Sequence, residues 1–379
     1  MDFGLSAEQE LLQQSARDFL QRECPTSLVR SVMGPAQDGW PRDLYAKMAE
    51  LGWLGILVPA KFGGSGGEML DAALLCEEFG RAALPGPFFS SSVLAALTLR
   101  FAGRESHKRQ YLPGLARGES VGTLAWSEGS SGLPEIDTME TRCGQQRLGL
   151  RLEGKKWFVT DAHIADWIVV VCQIRARRKA DLALVVVPRQ HPGVKVQQML
   201  DADQTRRPCM VEFDNVTLSH RQWIASGEKA RAALAKVFDA ASVLLAADSL
   251  GGAERVLELA VNYAKVRQQF GRPIGSFQAI KHACAEMVSA IEPARSLLWY
   301  AAYAFDHEPR NASCAAAMAK AHLCDVYAWA AERSLRIHGG IGFTWEHDLH
   351  LWIKRSLWNR HALGDPAFYR ERVATLWGW

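Results

Sequence analysis

Apolar and polar positions change their spacing twice along the chain, and this change predicts three zones. Residues 1–120 follow a helical period, in which apolar side chains recur on one face. Residues 121–225 contain short β-branched or aromatic runs, such as WFVT, WIVVVC and LALVVV, separated by polar turns. Residues 226–379 return to a helical period. We expect an N-terminal helical domain, a central β-domain and a C-terminal helical domain.

Local signals add detail to the helical zones. Ser6 and Gln9 have the spacing of a capping box before the first helix. A stretch from about 230 to 270 lacks proline, which predicts one long helix, and Ser276 is placed to cap the next. Pro293 predicts a kink in that next helix. The order helix, sheet, helix predicts an α+β fold, mostly α, with a small antiparallel sheet and a C-terminal four-helix bundle.

The composition is that of an ordinary globular protein. With 379 residues, the chain is longer than one hydrophobic core usually supports, so two or three domains are expected. A formal net charge of +3 leaves no footprint for nucleic acid, and the basic run at 175–179 is interpreted as a hairpin turn. No apolar run reaches about 18 residues, so we expect no membrane span. The start lacks a signal-peptide pattern and the eight cysteines lack metal-ligand spacing, so we expect free thiols, no metal and a cytoplasmic location.

The corner VRQQFGRPIGSFQ, at 266–278, contains charged, aromatic and amide side chains that a simple connection between helices does not need. Gly271 and Pro273 break the helix, yet Arg267, Phe270 and Gln278 crowd around the bend. A guanidinium holds two phosphate oxygens at once, and an amide both donates and accepts hydrogen bonds. The other interpretation of the arginine is a salt bridge between helices.

The chain resembles the flavin-dependent acyl-CoA dehydrogenases in five segments that occur in the family's order. The segments are LGWLGILVPAKFGGSGG at 51–67, WSEG at 126–129, KKWFVTDAHIADW at 155–167, YAKVRQQFGRPIGSFQAIKH at 263–282 and HGGIGFTWEHDLHLWIKR at 338–355. GGIG alone is a weak signal, but the five segments together span nearly the whole chain. The resemblance implies FAD as cofactor, an acyl-CoA substrate, an electron-transfer flavoprotein as partner, and assembly into dimers or tetramers.

The resemblance implies that the C-terminal motifs hold the ADP half of FAD across a subunit interface. The residues concerned are Arg267, Phe270, Gln278, Arg336, Gly339 and Gly340. Glycines lack side chains, so a nucleotide can approach their backbone N–H groups closely. Arg336 departs from the family, which generally has glutamine there, and Asp365 replaces a small hydroxyl residue near the adenosine. If both charges face one FAD, we expect them to compensate each other.

The resemblance places the redox end of FAD at the central β-domain. Thr160 matches the threonine whose hydroxyl bonds flavin N5, and Phe158 stands where a tryptophan usually covers the flavin. Trp126 and Ser127 match the strand that contacts the flavin and the acyl-CoA. Without the resemblance, strand propensity explains Thr160 and core packing explains Trp126. Two further positions match the family's contacts to the CoA chain, Phe238 and Asp239.

Dehydrogenation of a thioester removes a proton from carbon 2 and a hydride from carbon 3, so it needs a base beside the flavin. The family places a glutamate at one of two positions, which here hold Ala241 and Leu363. Neither side chain abstracts a proton, and Ser242 replaces the arginine that often follows the first of these glutamates. Asp365, two residues beyond Leu363, is the candidate base, and Asp248 lies two helical turns from Ala241. The alternative for both acids is a solvated or helix-capping role.

Three functions stay open on the sequence. The first is FAD-dependent α,β-dehydrogenation of an acyl-CoA within a hetero-oligomer, in which a homologous partner chain supplies the base. Bacterial dehydrogenases of bulky, steroid-like acyl-CoAs are assembled in this way, and the segment GGIGFTWEHDLHL resembles them. The second is a stand-alone acyl-CoA dehydrogenase that uses Asp365. The third is a structural or regulatory subunit without turnover.

Overall fold

The computed structural model describes residues 4–34, 38–129, 138–146, 149–176 and 179–379. Unit 1 comprises Met1–Ser31, Met69–Leu84 and Ser242–Trp379, and unit 2 comprises Val32–Glu68 and Pro85–Ala241. The boundaries of these two compact units do not coincide with the positions at which the hydrophobic period changes. The predicted domain boundaries near 120 and 225 therefore stay a prediction.

Helices dominate the described chain. In chain order they are α1 (Ala7–Glu23), α2 (Thr26–Ser31), α3 (Arg42–Glu50), α4 (Met69–Arg81), α5 (Ala96–Ala102), α6 (Glu105–Ala116), α7 (Gly227–Val266), α8 (Gln278–His307), α9 (Ala312–His338), α10 (Leu349–His361) and α11 (Pro366–Trp377). A π-helical segment, Phe88–Ala95, precedes α5. In unit 1, α8, α10 and α11 all pack on α9, and α1 packs on α4.

The described strands form one sheet in unit 2 and a small hairpin in unit 1. They are β1 (Gly122–Ala125), β2 (Arg142–Gln146), β3 (Gly149–Thr160), β4 (Trp167–Ala176), β5 (Lys179–Pro188), β6 (Val194–Gln198), β7 (Pro208–Leu218), β8 (Trp223–Ser226), β9 (Gln268–Gln269) and β10 (Arg272–Pro273). The sheet order is β6-β7-β3-β2-β4-β5-β8, with β1 beside β4. Its pairs are antiparallel except those that β1 and β2 make with β4.

Burial of β-branched side chains explains why the sheet forms where it does. Val170 and Val185 are paired on β4 and β5, and both are fully buried. They share one apolar cluster with Leu152 of β3 and Phe213 of β7. Because β-branched and aromatic residues pack well on a pleated surface, the runs read from the sequence become the central strands. The predicted central antiparallel β-domain is confirmed.

Two glycines let α4 and α7 approach closely within unit 1. A Cβ on Gly251 would overlap the carbonyl oxygen of Glu77, and a Cβ on Gly80 would overlap that of Asp248. Glycine in a helix interior usually costs about 1 kcal/mol relative to alanine. The close contact of the two backbones explains why the long helix carries glycine here.

Most predicted helix signals are confirmed. Ser6 and Gln9 form the capping box of α1, and α7 is a single helix of 40 residues. Helix α8 continues through Pro293. The basic run predicted as a turn lies partly outside the described residues, although the flanking strands β4 and β5 are antiparallel neighbours. No helix in the described ranges is long and apolar enough to span a membrane.

Candidate functional site

A short hairpin, with two residues in each strand, forms the corner that follows α7. β9 and β10 pair antiparallel with Gln269 opposite Arg272, so Phe270 and Gly271 make the turn. Both turn residues have positive φ, +55° and +76°, as a type I′ turn requires. The sequence predicted a helix break at this corner but not a hairpin, because strands of two residues show no alternation of apolar and polar side chains.

The predicted capping role of Ser276 is wrong. Helix α8 begins at Gln278, with Phe277 at the N-cap and no side-chain cap. The Ser276 hydroxyl instead donates to the carbonyl of Pro273 at 2.7 Å, closing a short 3-10 turn. Gln278 and Phe270 are both exposed, and Phe270 is 92% exposed.

Arg267 has a fixed backbone and an exposed side chain. Its N–H donates to the Tyr263 carbonyl at 2.9 Å, and its carbonyl accepts the N–H of Ile274 at 2.8 Å. Within the described ranges, its guanidinium forms no ion pair. Arg272, on the same hairpin, differs because its guanidinium lies 4.2 Å from the centre of the Phe277 ring. The salt-bridge interpretation of Arg267 therefore gains no support, and its side chain is available to a ligand.

Open space surrounds Gly339 and Gly340, the two glycines that directly follow α9. Gly339 has φ of +62° and ψ of −141°, a backbone conformation that is strained for any residue with a Cβ. A Cβ on Gly339 or Gly340 would meet no atom within 4 Å. His338, which the sequence did not single out, anchors this segment: its ring stacks on Tyr263 at 4.7 Å, and its Nδ1 lies 2.8 Å from the Ser334 carbonyl. Burial, assisted by the nearby His347, lowers the pKa of His338.

Arg336 pairs with Glu332, one turn earlier on α9. The Asp365 carboxylate caps the start of α11. The predicted compensation of Arg336 and Asp365 at one FAD stays a prediction. Unit 1 nevertheless presents an exposed guanidinium at Arg267, an exposed aromatic ring at Phe270 and bare backbone at Gly339. These groups fit the phosphates and flat rings of a dinucleotide.

In unit 2, Thr160 ends β3 directly after a β-bulge. Residues 157–158 oppose one residue of β7. Phe158 has φ of +56° and is 53% exposed. The Thr160 carbonyl accepts a hydrogen bond from the Thr123 hydroxyl at 2.7 Å. No residue that the structure describes bonds the Thr160 hydroxyl. A fixed backbone and an uncommitted hydroxyl suit a donor to flavin N5.

The residues expected at the substrate side lie together on unit 2. The indole of Trp126 packs edge-on against the Phe238 ring, with centroids 5.3 Å apart. Ser127 is buried, and its carbonyl accepts the N–H of Trp157 at 2.9 Å. Asp239 is also buried. Trp126, a predicted flavin contact, therefore packs against Phe238, a predicted CoA contact.

The two family base positions carry apolar side chains in a well-defined backbone. Ala241 is fully buried in α7, and Leu363 has φ of +63°. The Asp365 carboxylate accepts the N–H of Phe368 at 2.8 Å and so caps α11. These contacts agree with the helix-capping alternative, and the catalytic role of Asp365 stays a prediction.

Asp248 is also engaged within unit 1. Its carboxylate accepts hydrogen bonds from Arg355 at 3.0 Å and from Asn359 at 2.7 Å, and all three side chains are buried. This is a structural ion pair between α7 and α10. A carboxylate held in this way is poorly placed to act as a base.

Tyr369, which the sequence did not single out, connects residues beside the two base positions. Its hydroxyl lies 2.9 Å from the Ser242 hydroxyl and donates to the Leu363 carbonyl at 3.3 Å. Lys320 is fully buried and donates to the Asn359 carbonyl at 2.7 Å. These contacts fix the loop between α10 and α11 against α7 and α9.

Comparison with known proteins agrees with this geometry. Three acyl-CoA dehydrogenase domain models match in succession: the N-terminal domain at residues 6–119, the middle domain at 123–216 and the C-terminal domain at 231–375. The chain is 30% identical to acyl-CoA dehydrogenase IpdE2 of Mycolicibacterium smegmatis over 374 residues, which is 98% of each protein. The chain belongs to the acyl-CoA dehydrogenase family. Members of this family are FAD-dependent oxidoreductases that act on acyl-CoA thioesters.

Solved structures agree with the family assignment. Butyryl-CoA dehydrogenase from Megasphaera elsdenii has the same fold, with a TM-score of 0.90, 23% identity and coverage of 100% of both chains. The Tcur3481-Tcur3483 steroid acyl-CoA dehydrogenase is 27% identical, with a TM-score of 0.84 and coverage of 98% of both chains. The predicted fold class and the FAD cofactor are confirmed at the level of the family.

Proposed function

We propose that this chain takes part in FAD-dependent α,β-dehydrogenation of an acyl-CoA as one half of a hetero-oligomer, whose homologous partner chain supplies the catalytic base. The observation that carries the proposal is the loss of a carboxylate from both family base positions, Ala241 and Leu363. The nearest acids do not replace it easily, because Asp365 caps a helix and Asp248 is held in a buried ion pair.

The chain carries most of the residue types that the resemblance implies for FAD, with Arg336 and Phe158 as departures, although it lacks the base. We assign the ADP half to Arg267, Phe270, Gln278, Arg336, Gly339 and Gly340, and the flavin edge to Trp126, Ser127, Phe158 and Thr160. Bound FAD supplies the acceptor for the hydride from carbon 3 of the thioester. The Arg267 guanidinium would hold phosphate oxygens, and the Thr160 hydroxyl would donate to flavin N5. Phe158, exposed at the bulge, would exclude water from the flavin.

The substrate and partners are proposed by analogy with a structural neighbour. The Tcur3481-Tcur3483 dehydrogenase carries two component names and is called a steroid enzyme. By analogy we assign a bulky, ring-bearing acyl-CoA to this chain, with Ser127, Phe238 and Asp239 near the thioester and CoA. Electrons would then pass to an electron-transfer flavoprotein.

The experiment compares the chain alone with the chain co-expressed with a homologue that has glutamate at a family base position. Flavin absorbance is recorded anaerobically before and after addition of a steroid-side-chain acyl-CoA or butyryl-CoA. We expect bleaching only for the co-expressed complex and only with the bulky substrate. Replacement of the partner's glutamate by glutamine is expected to abolish bleaching while FAD content stays unchanged.

Two outcomes contradict the proposal. If the chain alone binds FAD and is bleached, the stand-alone interpretation holds, and loss of bleaching in Asp365→Asn would identify the base. If no complex is bleached by any acyl-CoA of the panel although it carries FAD, the chain is a structural subunit.

A further inference from the structure

A buried ion pair lies beside the segments that carry the flavin-edge residues in unit 2. Lys156 Nζ and Glu128 Oε1 are 2.7 Å apart, and their side chains are 0% and 9% exposed. Transfer of two charges from water into a protein interior costs several kcal/mol per ion. Apolar side chains of similar volume are often at least as stabilising as a buried ion pair. Stability alone therefore does not explain why the chain carries this pair.

The pair connects three backbone segments. Lys156 Nζ also donates to the Trp126 carbonyl at 3.3 Å. The Glu128 carboxylate accepts the N–H groups of Glu140 at 2.7 Å and Thr141 at 2.9 Å. The pair thus fixes the end of β1 and the residues before β2 to β3, one residue before the bulge.

The electrostatics agree with a tightly held pair. Burial lowers the pKa of Lys156, against the opposing effect of Glu128. Burial alone would raise the pKa of Glu128, but hydrogen bonds from Lys156, Thr141 and Glu140 outweigh it and lower the pKa. The carboxylate therefore stays charged at neutral pH, and its negative charge favours the protonated form of Lys156.

The position of the pair along β3 gives it a functional consequence. The next residue, Trp157, donates its N–H to the Ser127 carbonyl at 2.9 Å, and Phe158 then adopts φ of +56°. Two residues later the strand ends at Thr160. A backbone with positive φ at a bulky residue persists only where its surroundings hold it. The contacts of Lys156 and Glu128 lie where such support is needed.

We propose that Lys156 and Glu128 are positioning residues that hold the bulge at 157–158 and the segment at 126–127 in register, and thereby orient the Thr160 hydroxyl toward flavin N5. This inference rests on the proposed function, in which Thr160 donates to the flavin. Neither residue of the pair needs to contact the flavin itself, because both act through the backbone of their neighbours.

The test replaces the pair by apolar side chains of similar volume, Lys156→Met with Glu128→Leu, in the FAD-loaded complex with the co-expressed homologue. The readouts are the visible absorption spectrum of the flavin, its midpoint potential and the rate of flavin reduction. The matched control is Lys155→Met with Glu212→Leu, since in this neighbouring pair on β3 and β7 the charged atoms are 3.3 Å apart and the side chains are 53% and 30% exposed. Glu128→Gln is a milder second variant that keeps the shape and removes the charge.

We expect the buried double variant to shift the spectrum and the potential and to slow flavin reduction about three- to tenfold. The same shift is expected in Thr160→Val. Combining the changes should add little, because both act on the same hydrogen bond, the one from Thr160 to flavin N5. The control pair should leave all three readouts unchanged.

A folded double variant with wild-type spectrum and potential overturns the positioning role, as do effects that add fully to those of Thr160→Val. If the double variant does not fold, Glu128→Gln decides by the same readouts. A wild-type assembly that binds no flavin is a different result, which overturns the proposed function itself.

Discussion

At the scale of single residues, Arg267 and Arg272 form an internal comparison on one hairpin. Arg272 lies over the Phe277 ring, whereas the Arg267 guanidinium has no ion pair in the part of the chain that the structure describes. We expect Arg267→Met to weaken FAD binding about 100-fold and Arg267→Lys about tenfold, because lysine keeps the charge but loses the planar fork. The measurement is titration of apoprotein with FAD, followed by flavin fluorescence.

Arg272→Lys serves as the control for this prediction. It changes the same residue type on the same turn, and we expect FAD affinity within about twofold of wild type. Wild-type affinity in Arg267→Met would remove this residue from the FAD site. The assignment of phosphate binding would then have to move to another cation of unit 1.

At this scale a motif assigns an expected role to a residue, but the sequence gives no signal where a distant partner decides the role. The motifs single out Thr160 and Arg267 without any knowledge of their surroundings. The hydrogen bond between Ser242 and Tyr369 joins residues 127 positions apart, and nothing in their local sequence indicates it. Likewise, no propensity predicts φ of +56° at Phe158, because the bulge depends on pairing with β7.

At the scale of elements, the N-terminus of α11 tests whether Asp365 is a cap or a base. Its carboxylate accepts the Phe368 N–H, so Asp365→Ala should lower the free energy of unfolding by about 1 kcal/mol. Asp365→Asn keeps an N-cap acceptor and should leave stability within about 0.5 kcal/mol of wild type. Urea unfolding measures both changes. A large loss of turnover in Asp365→Asn at unchanged stability would instead identify this residue as the catalytic base.

The close contact between α4 and α7 gives a second prediction for elements. In Gly251→Ala the new methyl group would overlap the Glu77 carbonyl, so we expect a loss of at least about 2 kcal/mol in the free energy of unfolding. Gly340→Ala is the matched variant, because its methyl group would meet no atom within 4 Å.

Gly340→Ala should therefore keep wild-type stability but weaken FAD binding, since the methyl group would occupy space left for the nucleotide. Thermal unfolding and FAD titration separate the two effects. Equal destabilisation by Gly251→Ala and Gly340→Ala would show that the close contact between α4 and α7 does not require glycine. Unchanged FAD affinity in Gly340→Ala would place the nucleotide elsewhere.

Long periodic segments were predictable and short ones were not. A 40-residue helix such as α7 repeats its pattern over many turns, so local errors average out. The hairpin of β9 and β10 has two residues per strand, and its turn depends on positive φ at Phe270, a residue that rarely adopts it. The Ser276 prediction failed because α8 begins at Gln278 with Phe277 at the N-cap, so Ser276 lies one residue before the capping position.

At the scale of the whole molecule, unit 1 contains a network of charges around the buried Glu77. Arg295 donates to Glu77 at 2.8 Å and also to Glu254, which Arg81 contacts as well. Glu78, the next residue on α4, is paired with Arg17 of α1 at 2.7 Å. The network connects four helices, α1, α4, α7 and α8, and the sequence alone does not reveal which of its charged residues are partners. Glu77 is the most deeply buried carboxylate of the network.

This network predicts a pH dependence of stability. Burial, with repulsion from Glu254 and Glu78, raises the pKa of Glu77 to about 7 against the attraction of Arg295. Between the unfolded pKa near 4.5 and about 7, the folded state binds the proton more tightly, so this group stabilises the protein at low pH and loses that contribution as pH rises. We expect the free energy of unfolding of wild type, relative to Glu77→Gln, to fall by more than about 1 kcal/mol from pH 5 to pH 8. Urea unfolding at both pH values measures the difference, and Glu258→Gln, on a half-exposed member of the same network, is the control. A difference that stays constant or rises with pH would show that Glu77 is ionised throughout, with Arg295 outweighing its burial.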